Sequence, residues 1–276
     1  MQTKHVCLGS HPTFLFWLHV IMVPIRSTIG VVSILFAVAV LGEFSEASAQ
    51  STKVLKLDES LIALDSEVGR RLLEESKAKQ SYVPLGMYFD TQDNLAYCGP
   101  CSACMVLNAT GIERPLSPDH KPFGLFTQTN LFNSKVCKII SPEKVRQGGM
   151  PLKTLGEVIA CFPVKVAVVH ANETDLSTFR KSAIEILKTR DSFVIVNFLR
   201  KTIRQESGGH ISPIAAYHEG EDMFLVMDVS RYKYPPFFVK AEVLWESMKV
   251  EDKDSGKCRG FVTVQKLQSR NFSTRD

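Results

Sequence analysis

The spacing of apolar residues changes near residue 190 of this 276-residue chain, from a helical period to short runs typical of strands. Before that point the pattern predicts helices at 58–78, 98–109, 152–162 and 176–188, and a short helix beginning at Ser141-Pro142. Residues 81–94 and 115–134 are predicted to be irregular. Beyond it, the pattern predicts strands at 193–199, 210–217, 223–229 and 260–264. Helices followed by mainly antiparallel strands indicate an α+β domain with the two kinds of element in separate lobes.

The first 49 residues are typical of a secretory leader. An apolar run at 29–41 is preceded by Arg26 and followed by Ala47-Ser48-Ala49. The run is shorter than the roughly 20 residues of a membrane-spanning helix. We therefore expect cleavage after Ala49, export to the periplasm, and one folded region at 50–276. An uncleaved membrane anchor, or a true start at Met22, is the alternative.

Charge and cysteine content exclude some classes of protein. The chain has 33 Lys and Arg against 29 Asp and Glu, a net charge of +4, without a basic block. Nucleic-acid binding is therefore not indicated. Three of the seven cysteines are crowded into residues 98–104, whereas a disulfide framework spreads its cysteines along the chain. This crowding indicates reactivity at one place.

The crowded stretch, YCGPCSAC at 97–104, is compatible with three kinds of chemistry. Cys98 and Cys101 could form a redox pair, but no β-α-β pattern surrounds them, as a thioredoxin-like motif requires. The cysteines could bind a metal, but no second C-x-x-C or H-x-x-x-H supplies further ligands, so no metal site is predicted. The third interpretation makes Cys98 a nucleophile, which needs a base and an orienting group elsewhere in the chain.

His210 and Asp228 are the candidate base and orienting group. His210 begins one predicted strand in GGHISP, and Asp228 ends the next in MDVS, with the hairpin turn HEGED between them. Antiparallel pairing brings such positions side by side, and a carboxylate beside a histidine fixes its tautomer. A structural histidine and a turn-forming aspartate are the alternatives for each residue taken alone.

Two further features belong to the nucleophile interpretation. The side-chain amide of Gln92, six residues before Cys98, could donate to a developing oxyanion together with the Cys98 backbone N–H. We also expect the helix dipole and a neighbouring protonated histidine to lower the pKa of Cys98 and favour its thiolate.

Several long motifs resemble one family. QDNLAYCGPCSACMVLNATGI, VRQGGMPLKTLGEVIACF, FVIVNFLRKTIRQESGGHISPIAAY and MDVSRYKYPPFFVKAEVLW are similar to the catalytic domain of phytochelatin synthases, most of all to the short bacterial phytochelatin synthase-like proteins. The resemblance covers roughly residues 52–265. It implies a papain-like fold, with a helical N-terminal lobe, an antiparallel β C-terminal lobe and the active site between them.

The resemblance also implies residue roles and a reaction. The Cys-His-Asp triad of the family falls on Cys98, His210 and Asp228, with Gln92 at the oxyanion position. Family members cleave glycine from glutathione through a γ-glutamylcysteinyl thioester, which passes to a second glutathione or to water. No cofactor is implied, while heavy-metal (Cd, Zn, Cu) thiolates of glutathione are implied as substrates in phytochelatin formation. The oligomeric state is left open between monomer and homodimer.

Three residues are candidates for contact with a γ-glutamyl substrate. Arg231 could pair with its α-carboxylate, because a guanidinium binds carboxylates in a bidentate manner. Tyr232 follows it at the expected cleft. Gly209 would let the backbone approach the acyl group closely. A solvated charge and a simple turn are the alternatives for Arg231 and Gly209.

Cys101 and Cys104 depart from the family pattern, in which we expect small or apolar residues. Buried cysteine can behave as a small hydrophobic residue. Cys101, however, is three residues from Cys98, so it is also a redox candidate that could form a disulfide with the nucleophile. An exported thiol–disulfide oxidoreductase and a thiol-rich metal-binding protein are the rival functions.

Overall fold

The computed structural model describes residues 55–206 and 208–267. The predicted leader and its cleavage site lie outside the described residues. The helices are α1 Glu67–Glu75, α2 Tyr82–Met87, α3 Cys98–Ala109, α4 Pro142–Gly148, α5 Leu152–Ile159, α6 Leu176–Lys188 and α7 Ala241–Lys249. The strands are β1 Ile62–Ala63, β2 Val164–His170, β3 Ser192–Leu199, β4 Gly209–His218, β5 Met223–Val226, β6 Phe237–Lys240, β7 Glu251–Asp252, β8 Lys257–Cys258 and β9 Gly260–Lys266.

Most of the strands form one antiparallel sheet in the described part of the chain. Its order is β1-β6-β5-β4-β3-β9-β2, and β7 pairs with β8 apart from it. Strands β3 and β4 are central, with Phe198 opposite His210 and Leu199 opposite Gly209. The end of β3 therefore lies beside the start of β4. The α+β class is confirmed.

Helices cover both faces of the sheet. Along β3, Phe193 and Ile195 face one hydrophobic cluster with α3 and α5, while Val194 and Val196 face a second cluster with α6 and α7. Alternation of side chains across a strand produces this division. Because both faces are covered, β3 is almost wholly buried and apolar, which is why it reads as a continuous hydrophobic run.

Helix α3 has the predicted bounds and is buried after its first residue. It packs on β4, and the hydroxyl of Ser102 donates to the backbone carbonyl of Ile211 at 3.1 Å. This contact holds the start of α3 beside the start of β4, so Cys98 comes close to the strand that carries His210. The bounds predicted for α6 are also confirmed.

Other local predictions were wrong. The helix expected over 58–78 is confined to α1, because Ile62 pairs with Phe238 in β6 and the hydroxyl of Ser66 caps the helix by accepting from Gly69 N at 3.0 Å. The stretch 81–94, expected to be irregular, contains α2. Strands β2 and β6 were not predicted; each is defined by pairing with a distant strand, β2 with β9 and β6 with β5.

Within residues 55–206 and 208–267, none of the helices combines the length and the apolar character that crossing a bilayer requires.

Candidate active site

Cys98 and His210 line the same cleft, which has a volume of about 550 Å³. Cys98 is the first residue of α3 and is partly buried, while His210 is the second residue of β4 and is almost wholly buried. The cleft thus joins a thiol from a helix start with an imidazole from a strand start. The predicted nucleophile and base are brought together.

Asp228 contacts the imidazole of His210 at the ring nitrogen Nε2. Its Oδ1 is 2.9 Å from Nε2 of His210, and the hydroxyl of Ser212 lies 2.8 Å from the same nitrogen. Strand β5 ends at Val226, three residues before the predicted end at 229, so Asp228 lies just past the hairpin ladder. Both contacts engage Nε2, and they orient the ring from its buried side.

The structure adds Arg200, which sequence reasoning missed, to this group. Its Nη1 donates to Oδ2 of Asp228 at 2.8 Å, and its Nη2 donates to Oδ1 at 2.9 Å. Arg200 directly follows β3, whose end is paired with the start of β4. Arg200 and Asp228 are both almost fully buried. The one available signal was an arginine at the end of a mostly apolar strand.

The charge states of this group follow from burial and pairing. Burial by itself would raise the pKa of Asp228, but His210 and Arg200 outweigh it and hold that pKa well below its ordinary value. Burial lowers the pKa of His210, as do the charges of Arg200 and Lys233, and they prevail over the opposing effect of Asp228. At neutral pH, Asp228 is therefore ionised and His210 is uncharged.

Cys98 differs from the expectation of a lowered pKa. Burial raises the pKa of the Cys98 thiol above its ordinary value, although backbone hydrogen bonds from Ile211 and Gly99 and the charge of Arg200 act against it. The position at a helix start does not compensate for desolvation. The direction of the shift is therefore opposite to the one expected from the helix start.

The lining of the cleft contains a second polar group that was not predicted, formed by Asn197, Asp252 and Arg259. Nη1 of Arg259 donates to Oδ1 of Asn197 at 2.9 Å, and its Nη2 is 3.5 Å from Oδ1 of Asp252. Arg259 is 8% exposed, and its Nε has no hydrogen-bond partner among the described residues. The sequence offered little signal for this group, because only the fold brings its members together. Asn197 lies in β3, Asp252 lies in β7, and Arg259 directly precedes β9.

Gly209 lies against this polar group. It lines the cleft beside His210, and a β-carbon added there would lie 2.5 Å from Nη1 of Arg259. Absence of a side chain at this position therefore keeps Arg259 within the cleft wall.

Gln92 does not line the cleft but is connected to Asp228 through hydrogen bonds. Its amide nitrogen donates to the carbonyl of Asn94 at 2.6 Å, and its amide oxygen accepts from the hydroxyl of Ser230 at 2.6 Å. Ser230 N in turn donates to Oδ1 of Asp228 at 2.8 Å. A short chain of hydrogen bonds therefore connects the predicted oxyanion donor with the predicted orienting carboxylate.

Arg231 and Tyr232 also lie outside the lining of the cleft. The guanidinium of Arg231 stacks over the ring of Phe89 at 4.8 Å from its centroid. Tyr232 is 42% exposed. Of the three candidates, Gly209 lines the cleft shared by Cys98 and His210, while Tyr232 interacts electrostatically with Cys98 and Asp228.

Comparison with known proteins identifies the family to which this chain belongs. A family profile described as phytochelatin synthase matches residues 52–261. The chain belongs to the phytochelatin synthase family. Its matched range contains all the residues that line the cleft.

Curated relatives carry consistent names. The chain is 34% identical over 207 residues to glutathione gamma-glutamylcysteinyltransferase 1 of Lotus japonicus, covering 73% of this chain and 40% of that protein. It is 31% identical to glutathione gamma-glutamylcysteinyltransferase 1 of Arabidopsis thaliana, covering 74% and 42%, respectively. It is 26% identical to glutathione gamma-glutamylcysteinyltransferase of Schizosaccharomyces pombe, covering 77% and 50%. This phytochelatin synthase family member thus spans about 40 to 50% of the length of these relatives.

The two extra cysteines of this family member are core residues. Cys101 is 0% exposed and Cys104 is 3% exposed, and burial raises the pKa of each thiol well above its ordinary value. Cys98, Cys101 and Cys104 are all free thiols. A thiol–disulfide oxidoreductase needs an accessible low-pKa thiol, so this geometry does not favour that rival.

Among the residues that the structure describes, no group of three or more His, Cys, Asp or Glu side chains could hold a metal ion. Cys101 and Cys104 lie in the hydrophobic core, while Cys98 lines the cleft.

Proposed function

We propose that this protein cleaves glycine from glutathione and transfers the γ-glutamylcysteinyl group to a second glutathione or to water. The observation that carries the proposal is the arrangement of His210, which lines the cleft with Cys98 and is held by Asp228 at 2.9 Å. The names of the curated relatives, glutathione gamma-glutamylcysteinyltransferase, support the same reaction.

In the acylation step, Sγ of Cys98 attacks the carbonyl carbon of the cysteinyl–glycine amide. His210 accepts the thiol proton as the S–C bond forms, and returns it to the glycine nitrogen as the C–N bond breaks. Asp228 holds the ring in place and stabilises the transient imidazolium. Glycine leaves, and a thioester on Cys98 remains.

In the second step, the thioester carbonyl is attacked by the amino group of a second glutathione or by water. His210 accepts a proton from the attacking group and returns it to Sγ as the thioester breaks. The product is an extended peptide in the first case and γ-glutamylcysteine in the second.

The oxyanion of each tetrahedral intermediate requires hydrogen-bond donors. We assign this role to the backbone N–H of Cys98, in the first turn of α3, and to the second amide N–H of Gln92. The hydrogen bonds of Gln92 with Asn94 and Ser230 fix the orientation of its amide group, which supports this assignment.

The polar wall of the cleft matches the γ-glutamyl end of glutathione. This end carries one carboxylate and one ammonium group, and the wall pairs the guanidinium of Arg259 with the carboxylate of Asp252. We propose that Arg259 binds the carboxylate, with Asp252 directed to the ammonium group and Gly209 allowing close approach. Arg231 and Tyr232, outside this cleft, remain candidates for contact with the departing glycine or the second glutathione.

Several finer points belong to the same proposal. Heavy-metal thiolates of glutathione are proposed as substrates, and a rate that does not respond to Cd²⁺ or Zn²⁺ would contradict this. Export with cleavage after Ala49 is proposed from the leader, and the N-terminal sequence of the recovered protein checks it. The papain-like arrangement of lobes is proposed from the family resemblance, and an experimental structure tests it.

One experiment tests the reaction directly. The protein is incubated with reduced glutathione, and the products are resolved by mass. Release of glycine together with γ-glutamylcysteine or an extended peptide supports acyl transfer. Oxidised glutathione without glycine would support the oxidoreductase instead and contradict the proposal.

A further inference from the structure

The carboxylate of Asp228 contacts two charged or titratable side chains. The guanidinium of Arg200 binds it in a bidentate manner, at 2.8 and 2.9 Å, and Nε2 of His210 lies 2.9 Å from its Oδ1. Arg200 is itself held in place, since it stacks over the ring of Tyr234 at 5.2 Å and donates to Gln205. The arginine has one fixed position in the buried side of the site.

This arrangement changes what Asp228 does to the imidazole. A carboxylate that faces only a histidine stabilises the charged ring and raises its pKa. A guanidinium is always protonated, so the pair of Arg200 and Asp228 carries no net charge. Burial of the ring then outweighs the remaining attraction, which agrees with the lowered pKa of His210.

Other groups around His210 do not reverse this balance. Lys233 adds positive charge, Ser212 and Phe198 are neutral, and burial raises the pKa of the Cys98 thiol. The remaining charged groups that line the same cleft are Arg146, Asp252, Asp254 and Arg259.

We propose that Arg200 is a positioning residue whose fixed charge offsets that of Asp228, so that, with the ring buried, His210 rests uncharged. The inference rests on the proposed function in assigning Cys98 as nucleophile. His210 then accepts the thiol proton only when Sγ attacks, as a general base. Arg200 also fixes which oxygen of Asp228 faces the ring.

The titration of His210 can be measured by NMR of the imidazole Cε1–H in the absence of glutathione. The His210 resonance is assigned by its loss in His210→Gln. In the unaltered protein we expect titration below the ordinary imidazole value. Arg200→Met should raise the titration midpoint by about one pH unit, since it leaves Asp228 unneutralised. Arg200→Lys, which retains the charge, should leave it nearly unchanged.

Arg180 provides a matched control. It also binds a carboxylate in a bidentate manner, through Nε and Nη2 to Asp222 with both distances 2.8 Å, among residues that do not line the cleft. Arg180→Met should therefore leave the titration midpoint of His210 unchanged. An unchanged midpoint in Arg200→Met, or a His210 in the unaltered protein that titrates above its ordinary value, would overturn the inference. The second criterion applies even if Arg200→Met does not fold.

Glycine release is measured in parallel to separate this inference from the proposed function. If the reaction occurs, the acid limb of kcat/KM should move to higher pH in Arg200→Met, by the same amount as the NMR midpoint. If glycine is not released while the NMR midpoints shift as expected, the proposed reaction fails and the role of Arg200 in setting the charge of His210 stands.

Discussion

The guanidinium of Arg259 packs directly against Gly209, where a β-carbon would lie 2.5 Å from Nη1. Gly209 is also the neighbour of His210 at the start of β4. Because Gly209 has no side chain, Arg259 can pack beside the residue that precedes the proposed base, His210.

Gly209→Ala should weaken binding of glutathione by displacing Arg259. A β-carbon at 2.5 Å cannot be accommodated, so the guanidinium must move away from Asn197 and Asp252. We expect kcat/KM for glycine release to fall at least about tenfold, mainly through KM. Gly86→Ala is the control, because a β-carbon there meets nothing within 4 Å. Equal kinetics for both variants would contradict the proposed carboxylate site.

Cys98→Ser should lower glycine release by about a thousandfold or more, because the nucleophile is removed. Cys101→Ser and Cys104→Ser should retain most of it. Both of these side chains are buried in α3, where a serine hydroxyl can bond to the preceding turn of the helix. Initial rates of glycine release check this prediction, and a comparable loss in Cys101→Ser would reassign the nucleophile.

Asp228→Asn should affect both activity and stability. An amide cannot stabilise the imidazolium that forms during acylation, so kcat should fall by orders of magnitude, up to about 10⁴-fold. The same change leaves the buried charge of Arg200 unpaired, which should lower the free energy of unfolding by about 3 kcal/mol. Urea denaturation followed by circular dichroism separates the two effects. His210→Ala should prevent acylation while leaving the Arg200–Asp228 pair intact.

Stability should decrease as the pH falls. His210 has a lowered pKa in the folded protein, so the unfolded chain binds protons more tightly below about pH 6.5. Asp228 also has a lowered pKa, and it adds a further loss below about pH 4. Both groups therefore stabilise the fold at neutral pH, and this contribution is lost towards acid. Urea midpoints at pH 7, 5.5 and 4 measure the effect, and His210→Gln should flatten the change between pH 7 and 5.5.

Oxidation should switch the protein off through a bond between Cys98 and Cys101. The two residues are three apart in the first turn of α3, although both are free thiols in the structure and Cys101 is fully buried. The oxidised protein should be inactive and a dithiol should restore it. Cys101→Ala should stay active across glutathione redox ratios, apart from direct oxidation of Cys98. Identical redox profiles, or peptide masses without the crosslink, would leave Cys101 as a packing residue.

The sequence by itself determined the elements whose signals are local. Helix α3 and helix α6 have the predicted bounds, because periodicity and capping lie within each segment. The neighbouring positions of His210 and Asp228 followed from two strands joined by a short turn, since such a hairpin leaves few ways to pair. Membership of the family was also visible in the sequence, because several long motifs that resemble the family follow one another along the chain.

Only the tertiary structure decided the rest. Residues 61–64 read as part of a helix, but pairing of β1 with β6 overrides the local preference. Arg200 and Arg259 carried little signal, because each acquires its role from partners at positions 197, 228 and 252, brought together by the sheet. The raised pKa of Cys98 has the same origin: desolvation depends on what the whole chain packs around a thiol, whereas the helix start is a local feature.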